Sequence, residues 1–220
     1  MRKSGYFAAA LFIFCNIHSQ QISFKFDFGS GKTAPGYIQI TPESKFSYLV
    51  GYGFDQNSVV ESIDRGGDPL TSDLITSKKP FYFSVKLPDG NYDVKVIIGD
   101  KLENTSATIR AECRRLMIEK ATSIKGKTTT VSFTVHVKDS LIRDATGAVV
   151  NKIRLKEREI GYLHWDNLLT LEINGEDPRI CAVEIIPNKT ATTIFLAGNS
   201  TVVDQDRDCL LYTSPSPRDS

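Results

Sequence analysis

Neither sign of charge is in excess in this 220-residue sequence: 27 basic residues face 26 acidic ones, for a formal net charge of +1. That balance excludes an electrostatic grip on nucleic acid or anionic lipid, since both require clustered positive charge. Long hydrophobic runs are missing too. The apolar stretch Tyr6–Phe14 falls short of the roughly 20 residues that cross a bilayer, so no membrane span is expected. Cysteine is sparse in the body of the chain: with Cys15 near the N-terminus and Cys209 near the C-terminus set aside, Cys113 and Cys181 are left. One pair without a spacing motif fits either a disulfide or two small buried side chains. Helical periodicity is also lacking, so helix is a minor component. Asp64, Asp68, Asp73 and Asp100 lack the spacing of a calcium loop and read as solvated turn carboxylates. No metal and no cofactor are expected.

What is present begins with an export signal. Arg2 and Lys3 precede the apolar stretch, and polar residues from Asn16 to Gln21 come after it. This charged, apolar, polar order marks residues 1–19 as a secretory signal peptide, with a buried N-terminal helix as the alternative. Bulky Phe14 before Cys15 argues against a lipoprotein anchor. The expected location is periplasmic or extracellular. At the other end, Cys209–Asp219 reads as a translated sequencing-adapter frame, the alternative being an ordinary polar tail. Residues 209–220 are therefore kept out of the fold argument, and native sequence is expected to stop near Asp208.

Between these ends the composition, 40% hydrophobic and 10% aromatic, supports a packed core. Apolar residues alternate in Ile22-Phe24-Phe26-Phe28, Phe81-Phe83-Val85-Leu87, Tyr92-Val94-Val96-Ile98, Val131-Phe133-Val135-Val137, Leu169-Leu171-Ile173 and Cys181-Val183-Ile185. One wet and one dry face per strand is the pattern of antiparallel sheets packed as a sandwich. Pro88-Asp89-Gly90-Asn91 predicts a hairpin between two of these runs, and Asn174–Pro178 separates two others. The expected fold is an all-β antiparallel sandwich over residues 21–187.

Near Pro187 the rhythm changes. Thr193–Ala197 is apolar without alternation, as in a parallel strand buried on both faces, and it ends in Gly198-Asn199-Ser200-Thr201. A serine just past such a strand stands at the carboxyl edge of an α/β sheet, where such folds place their sites. Its hydroxyl could attack an ester carbonyl, and its own amide could stabilise the oxyanion. The bland reading is that Ser200 or Thr201 caps a helix.

Several blocks carry resemblances. Thr193–Val202 resembles the first block of SGNH hydrolases, in particular the rhamnogalacturonan acetylesterases. That resemblance implies that Ser200 is the nucleophile and one oxyanion donor. Asn199 departs from the usual Gly-Asp-Ser of this block. Phe26–Gly31, Ala34–Tyr37, Gly51–Phe54, Arg114–Met117 and Arg158–Asp166 resemble the galactose-binding-like jelly roll that precedes the catalytic part in certain agarases and YxiM-type esterases. The resemblance implies a sandwich over residues 21–187, then the first strand of a truncated α/β SGNH domain at 191–208. It further implies an exported esterase that removes acetyl groups from plant pectic polysaccharide.

The remaining SGNH blocks, which would bring the catalytic base and acid, have no counterpart in this sequence. His18 leaves with the leader, and His136 and His164 fall in the sandwich, so the chain as written is expected to lack esterase activity. For sugar stacking the aromatic candidates are Tyr37, Tyr48, Tyr52, Phe54, Tyr162 and Trp165, with core filling the alternative for the alternating phenylalanines and for Trp165, and a ligand edge expected between Gly29 and Asp68. Two other functions stand beside the esterase: a non-catalytic carbohydrate-binding or accessory module, and the front of another polysaccharide enzyme such as an agarase. Nothing in the sequence fixes the oligomeric state.

Overall fold

The computed structural model describes residues 23–157 and 160–195. The expected signal peptide, Ser200 and the tail lie outside the described residues. The elements run β1 (Phe24–Phe28), β2 (Ile38–Ile40), β3 (Tyr52–Asp55), β4 (Glu61–Asp64), β5 (Asp73–Thr76), β6 (Phe81–Lys86) and β7 (Gly90–Asp100). They continue with β8 (Thr105–Ala111), β9 (Arg115–Ser123), β10 (Lys127–Val137), β11 (Leu141–Arg143), β12 (Val149–Lys152), β13 (Leu168–Asp177) and β14 (Arg179–Pro187). No α-helix occurs among the described residues.

Two sheets make the sandwich. One has seven strands, with the path β10-β7-β14-β1-β2 and β5 and β4 branching from β14; the other has five, in the order β3-β6-β13-β8-β9. The pairing β10/β7 shows why alternation specifies the fold. Val131, Phe133 and Val135 lie opposite Val96, Val94 and Tyr92, so both strands turn their apolar side chains to the same face. Aromatic rings then join the layers. Phe26 and Phe28 of β1 meet Phe83 of β6 edge to face, at centroid distances of 5.0 and 4.9 Å, the arrangement that ring quadrupoles favour.

The all-β, mostly antiparallel sandwich is as the sequence predicts. The details that differ have physical causes. Pro88–Asn91 is not a hairpin: β6 and β7 belong to opposite sheets, and the turn carries the chain across the core that both strands line. β1 and β2 pair in parallel, after a loop long enough to return the chain to the start of its neighbour. The face Cys181-Val183-Ile185 is broken by a register shift between Ile180 and Ala182. Ile180, Val183 and Ile185 join the main core, whereas Cys181 is buried outside it, its thiol directed at the Gly99 carbonyl, 3.5 Å away. Cys113 and Cys181 are both buried, and they form no disulfide with each other.

Asp27 also departs from its expected wet face. It is 1% exposed, because the loop after β1 folds over it and the Ala34 amide donates to its Oδ2 at 2.7 Å. After β14, residues 191–195 form no strand, and Ile194 and Phe195 are 78% and 65% exposed. The described part of the expected Thr193–Ala197 strand therefore has no sheet neighbour among the described residues, and its last two residues lie outside them.

Candidate functional site

The chain makes an unusual close approach at β3, the edge strand of the five-stranded sheet. Gly53 has φ +144°, and a Cβ there would lie 2.5 Å from the carbonyl carbon of Lys45 and the amide nitrogen of Phe46. Only glycine lets a second segment lie this close. That segment is tied by amide bonds from Phe54 to Ser44 O (2.7 Å) and from Phe46 to Phe54 O (2.9 Å). The strap so formed delivers Phe46 and Tyr48 to the surface, where their rings meet edge to face at 5.3 Å. Tyr48 is 61% exposed, with the Lys86 ammonium 5.9 Å from its ring centre.

The facing wall is the loop that leads into β13. Gly161 and Trp165 adopt φ +91° and +59° there, a costly conformation for tryptophan and of the kind that gathers at functional sites. Across the gap Gln56 and Asn57, just after β3, are also left-handed. Between the walls runs an open groove of about 310 Å³, lined by Phe46, Tyr48, Asp55, Gln56, Tyr162 and Asp166 among others.

Beneath it a polar chain crosses the outer face of the sheet. Ser84 Oγ donates to Asp55 Oδ2 (3.1 Å) and accepts from the Thr170 hydroxyl (2.9 Å), while the Thr170 amide donates to Glu112 Oε1 (3.3 Å). Burial, followed by the negative charge of Asp166, pushes the Glu112 carboxyl up to about 8. Burial and then the Asp55 charge raise Asp166 also, against the Leu168 amide that donates to its Oδ1. Two carboxyl groups pushed up by burial and by neighbouring charge, beside an aromatic-lined groove, are the kind of perturbed pair that gathers at sites. Chemically it offers acceptors for hydroxyl groups and ring faces for C–H stacking.

Of the aromatic residues singled out in the sequence, the groove brings Tyr48 and Tyr162 together. Trp165 is nearby, its ring against His164 at 6.3 Å. Phe54 is core, and Tyr52 packs on Phe26 at 5.2 Å. Tyr37 stands on the other sheet, hydrogen-bonded to Glu184. Asp55, Asp166, Ser84, Thr170 and Glu112 were not anticipated. The available signal was polar residues interrupting apolar runs, Ser84 within Phe81–Val85 and Thr170 within Leu168–Leu171.

Of the acids read as solvated turn residues, Asp64 and Asp68 are exposed and accept amides of their own turns, whereas Asp100 is held by Arg65 (2.9 Å) and Arg179 (3.2 Å) and Asp73 is 1% exposed and accepts from the Gly31 amide. A second cavity of about 380 Å³, between Thr105, Lys120, Thr122, Glu176 and Asp177, has no aromatic lining. His136 is engaged by Asn91 and Thr193.

The family model for the β-agarase/YXIM esterase-like, galactose-binding domain-like domain matches residues 24–144. The chain is 33% identical over 94 residues to the uncharacterized esterase YxiM of Bacillus subtilis (strain 168), a span of 40% of this chain and 24% of that protein. The crystal structure of YxiM from B. subtilis shares the fold with a TM-score of 0.54 at 23% identity, over 76% of this chain and 40% of that one. The chain thus spans well under half the length of the relative that it matches.

Proposed function

Because this chain belongs to the β-agarase/YXIM esterase-like, galactose-binding domain-like family, we propose that it is the glycan-holding module of an exported carbohydrate esterase. The groove between Tyr48 and Tyr162 holds the polysaccharide. In this reading the substrate is acetylated pectic polysaccharide of the rhamnogalacturonan type, and the protein acts in the periplasm or outside the cell. The observation that carries the proposal is the pairing of ring faces with the Asp55 and Asp166 carboxylates in one open groove on a chain of an esterase-like family.

Ser200 is proposed as the nucleophile of the attached SGNH domain. Its hydroxyl oxygen attacks the acetyl carbonyl, its proton passing through a base to the departing sugar oxygen while its amide hydrogen steadies the oxyanion, and water then hydrolyses the acetyl-serine to release acetate. A base and an orienting carboxylate are needed for this; the proposal assigns both to sequence beyond residue 208 in the parent protein.

The test has two arms. The 220-residue chain is expected to retain neutral pectic oligosaccharides on an affinity column and to release no acetate from acetylated rhamnogalacturonan. The chain continued by the coding sequence beyond residue 208 is expected to release acetate, and Ser200→Ala is expected to lower that rate at least 1,000-fold, the order of loss for a nucleophile. Acetate release that survives Ser200→Ala removes the serine assignment. The family description also covers β-agarases, which supports a second reading as an accessory module of another polysaccharide-degrading enzyme. That reading predicts glycan retention by the 220 residues and no acetate release by either version.

A further inference from the structure

Resting on the reading of the groove as a glycan site, we propose that it selects uncharged sugar residues and rejects uronic acids. The carboxylates that reach it come from two separate elements, Asp55 at the end of β3 and Asp166 in the loop before β13. Each is fixed by the fold. Asp55 accepts from the Gln56 amide at Oδ1 and from Ser84 at Oδ2. Asp166 accepts from the Leu168 amide at Oδ1. Glu112 closes the back of the same hydrogen-bonded chain through Thr170.

Cations also stand near these acids. Lys86 sits over the Tyr48 ring, 5.9 Å from its centre, and Arg115 lies on the Glu112 side. Mutual repulsion among the acids is already felt: Asp55 acts on Asp166, and Asp166 acts on Glu112. A sugar carboxylate placed between Asp55 and Asp166 adds a like charge in a half-enclosed space, and a misplaced charge of this kind is how sites exclude wrong partners. A neutral sugar meets the opposite situation. Its hydroxyls donate to the carboxylates, and its C–H face lies on Tyr48 or Tyr162. In a polymer that carries both kinds of sugar, the groove would hold neutral stretches and leave acidic ones free.

The test is calorimetric titration of the 220-residue chain at pH 7 with two probes of equal length, a neutral galactan oligosaccharide and an oligogalacturonate. We expect the neutral probe to bind at least tenfold more tightly. Binding of the galacturonate should strengthen as salt screens the repulsion. Asp55→Asn and Asp166→Asn should each narrow the gap at least threefold, and Tyr48→Ala should weaken the neutral probe at least fivefold. The salt response of the unmodified chain keeps the test independent of whether any variant folds. Equal or tighter binding of oligogalacturonate overturns the selectivity and leaves the groove reading standing. Binding of neither probe, or neutral binding untouched by Tyr48→Ala in a folded variant, overturns the groove reading itself.

Discussion

Asp27 shows how much one side chain can set. It sits on the face of β1 that the alternating pattern assigns to water, yet the loop 29–36 seals it in, 1% exposed. Its Oδ2 has the Ala34 amide, and its Oδ1 has no partner among the described residues. Burial pushes its carboxyl from 3.8 up to about 6, opposed by the Ala34 hydrogen bond and reinforced by the charges of Asp73 and Asp68. A raised acid means that the folded chain holds a proton which the unfolded chain has lost. Stability is therefore highest below the ordinary value and is lost as pH rises through about 4 to 6. Asp27→Asn keeps the acceptor for Ala34 and removes the titration. The variant should match the wild type near pH 4 and exceed it by about 1–3 kcal/mol at pH 7. Melting curves from pH 4 to 8 decide this; a gap that stays constant across the range would refute it.

At the scale of elements, the groove depends on a contact between backbones. The strap Ser44–Phe46 rests on β3 because Gly53 has no Cβ, and it places Phe46 and Tyr48 opposite the loop of Tyr162. Gly53→Ala would put a methyl 2.5 Å from that backbone at φ +144°. We expect a loss of about 2–4 kcal/mol together with loss of glycan binding, measured by denaturant unfolding and by titration. Binding at wild-type strength in a folded Gly53→Ala protein would show that the strap does not build the site. The same contrast explains what the sequence made legible. Strands that bury one face advertise themselves by alternation, so the sandwich and most of its core residues could be read directly. The span Gly29–Asp68 could be picked as a candidate ligand edge from its glycines and tyrosines, and it lines one side of the groove proposed as the glycan site. The other wall comes from the loop before β13, and the Asp55–Ser84–Thr170–Glu112 chain joins residues 29 to 86 positions apart. Pairing at that distance is set by sheet order, which period-two patterning does not encode. The hairpin expected at Pro88–Asn91 fails for the same reason, since a turn sequence does not say which sheet the next strand joins.

At the scale of the whole molecule, the question is how the sandwich releases the chain at the end of β14. The exit is tied down by side chains from three places. Asn188 grips Asp93 with its amide nitrogen (2.9 Å) and accepts from the amides of Thr190 and Ala191. Asn91 then donates to the Ala191 carbonyl at 3.0 Å and accepts from Thr193 at 3.0 Å. His136 of β10 adds its Nδ1 to Asn91 Oδ1 at 2.8 Å and sets its ring edge-on to Phe195 at 5.6 Å. The Nδ1–H tautomer fits this bond, with Asn91 as acceptor. Burial holds the His136 pKa below its ordinary value, against the pull of Asp89 and with Lys138 and Arg115 acting the same way as burial. The neutral ring is therefore favoured over the charged one more than in a free imidazole, and this part of the stability is lost as pH falls through the depressed value. Asn91→Ala removes the central partner of the anchor while leaving the β7/β10 ladder intact. Trypsin should then cut after Lys189 at least fivefold faster at pH 7, with global stability lower by about 1–2 kcal/mol at most. The wild type, probed at pH 5 with an acid-active protease, should show faster cleavage in 189–195 than at pH 7 with a comparable neutral one. An unchanged tryptic rate in Asn91→Ala would mean that the exit is held by the Asn188–Asp93 bond alone. In that case the His136 cluster does not set the direction in which the chain leaves the sandwich.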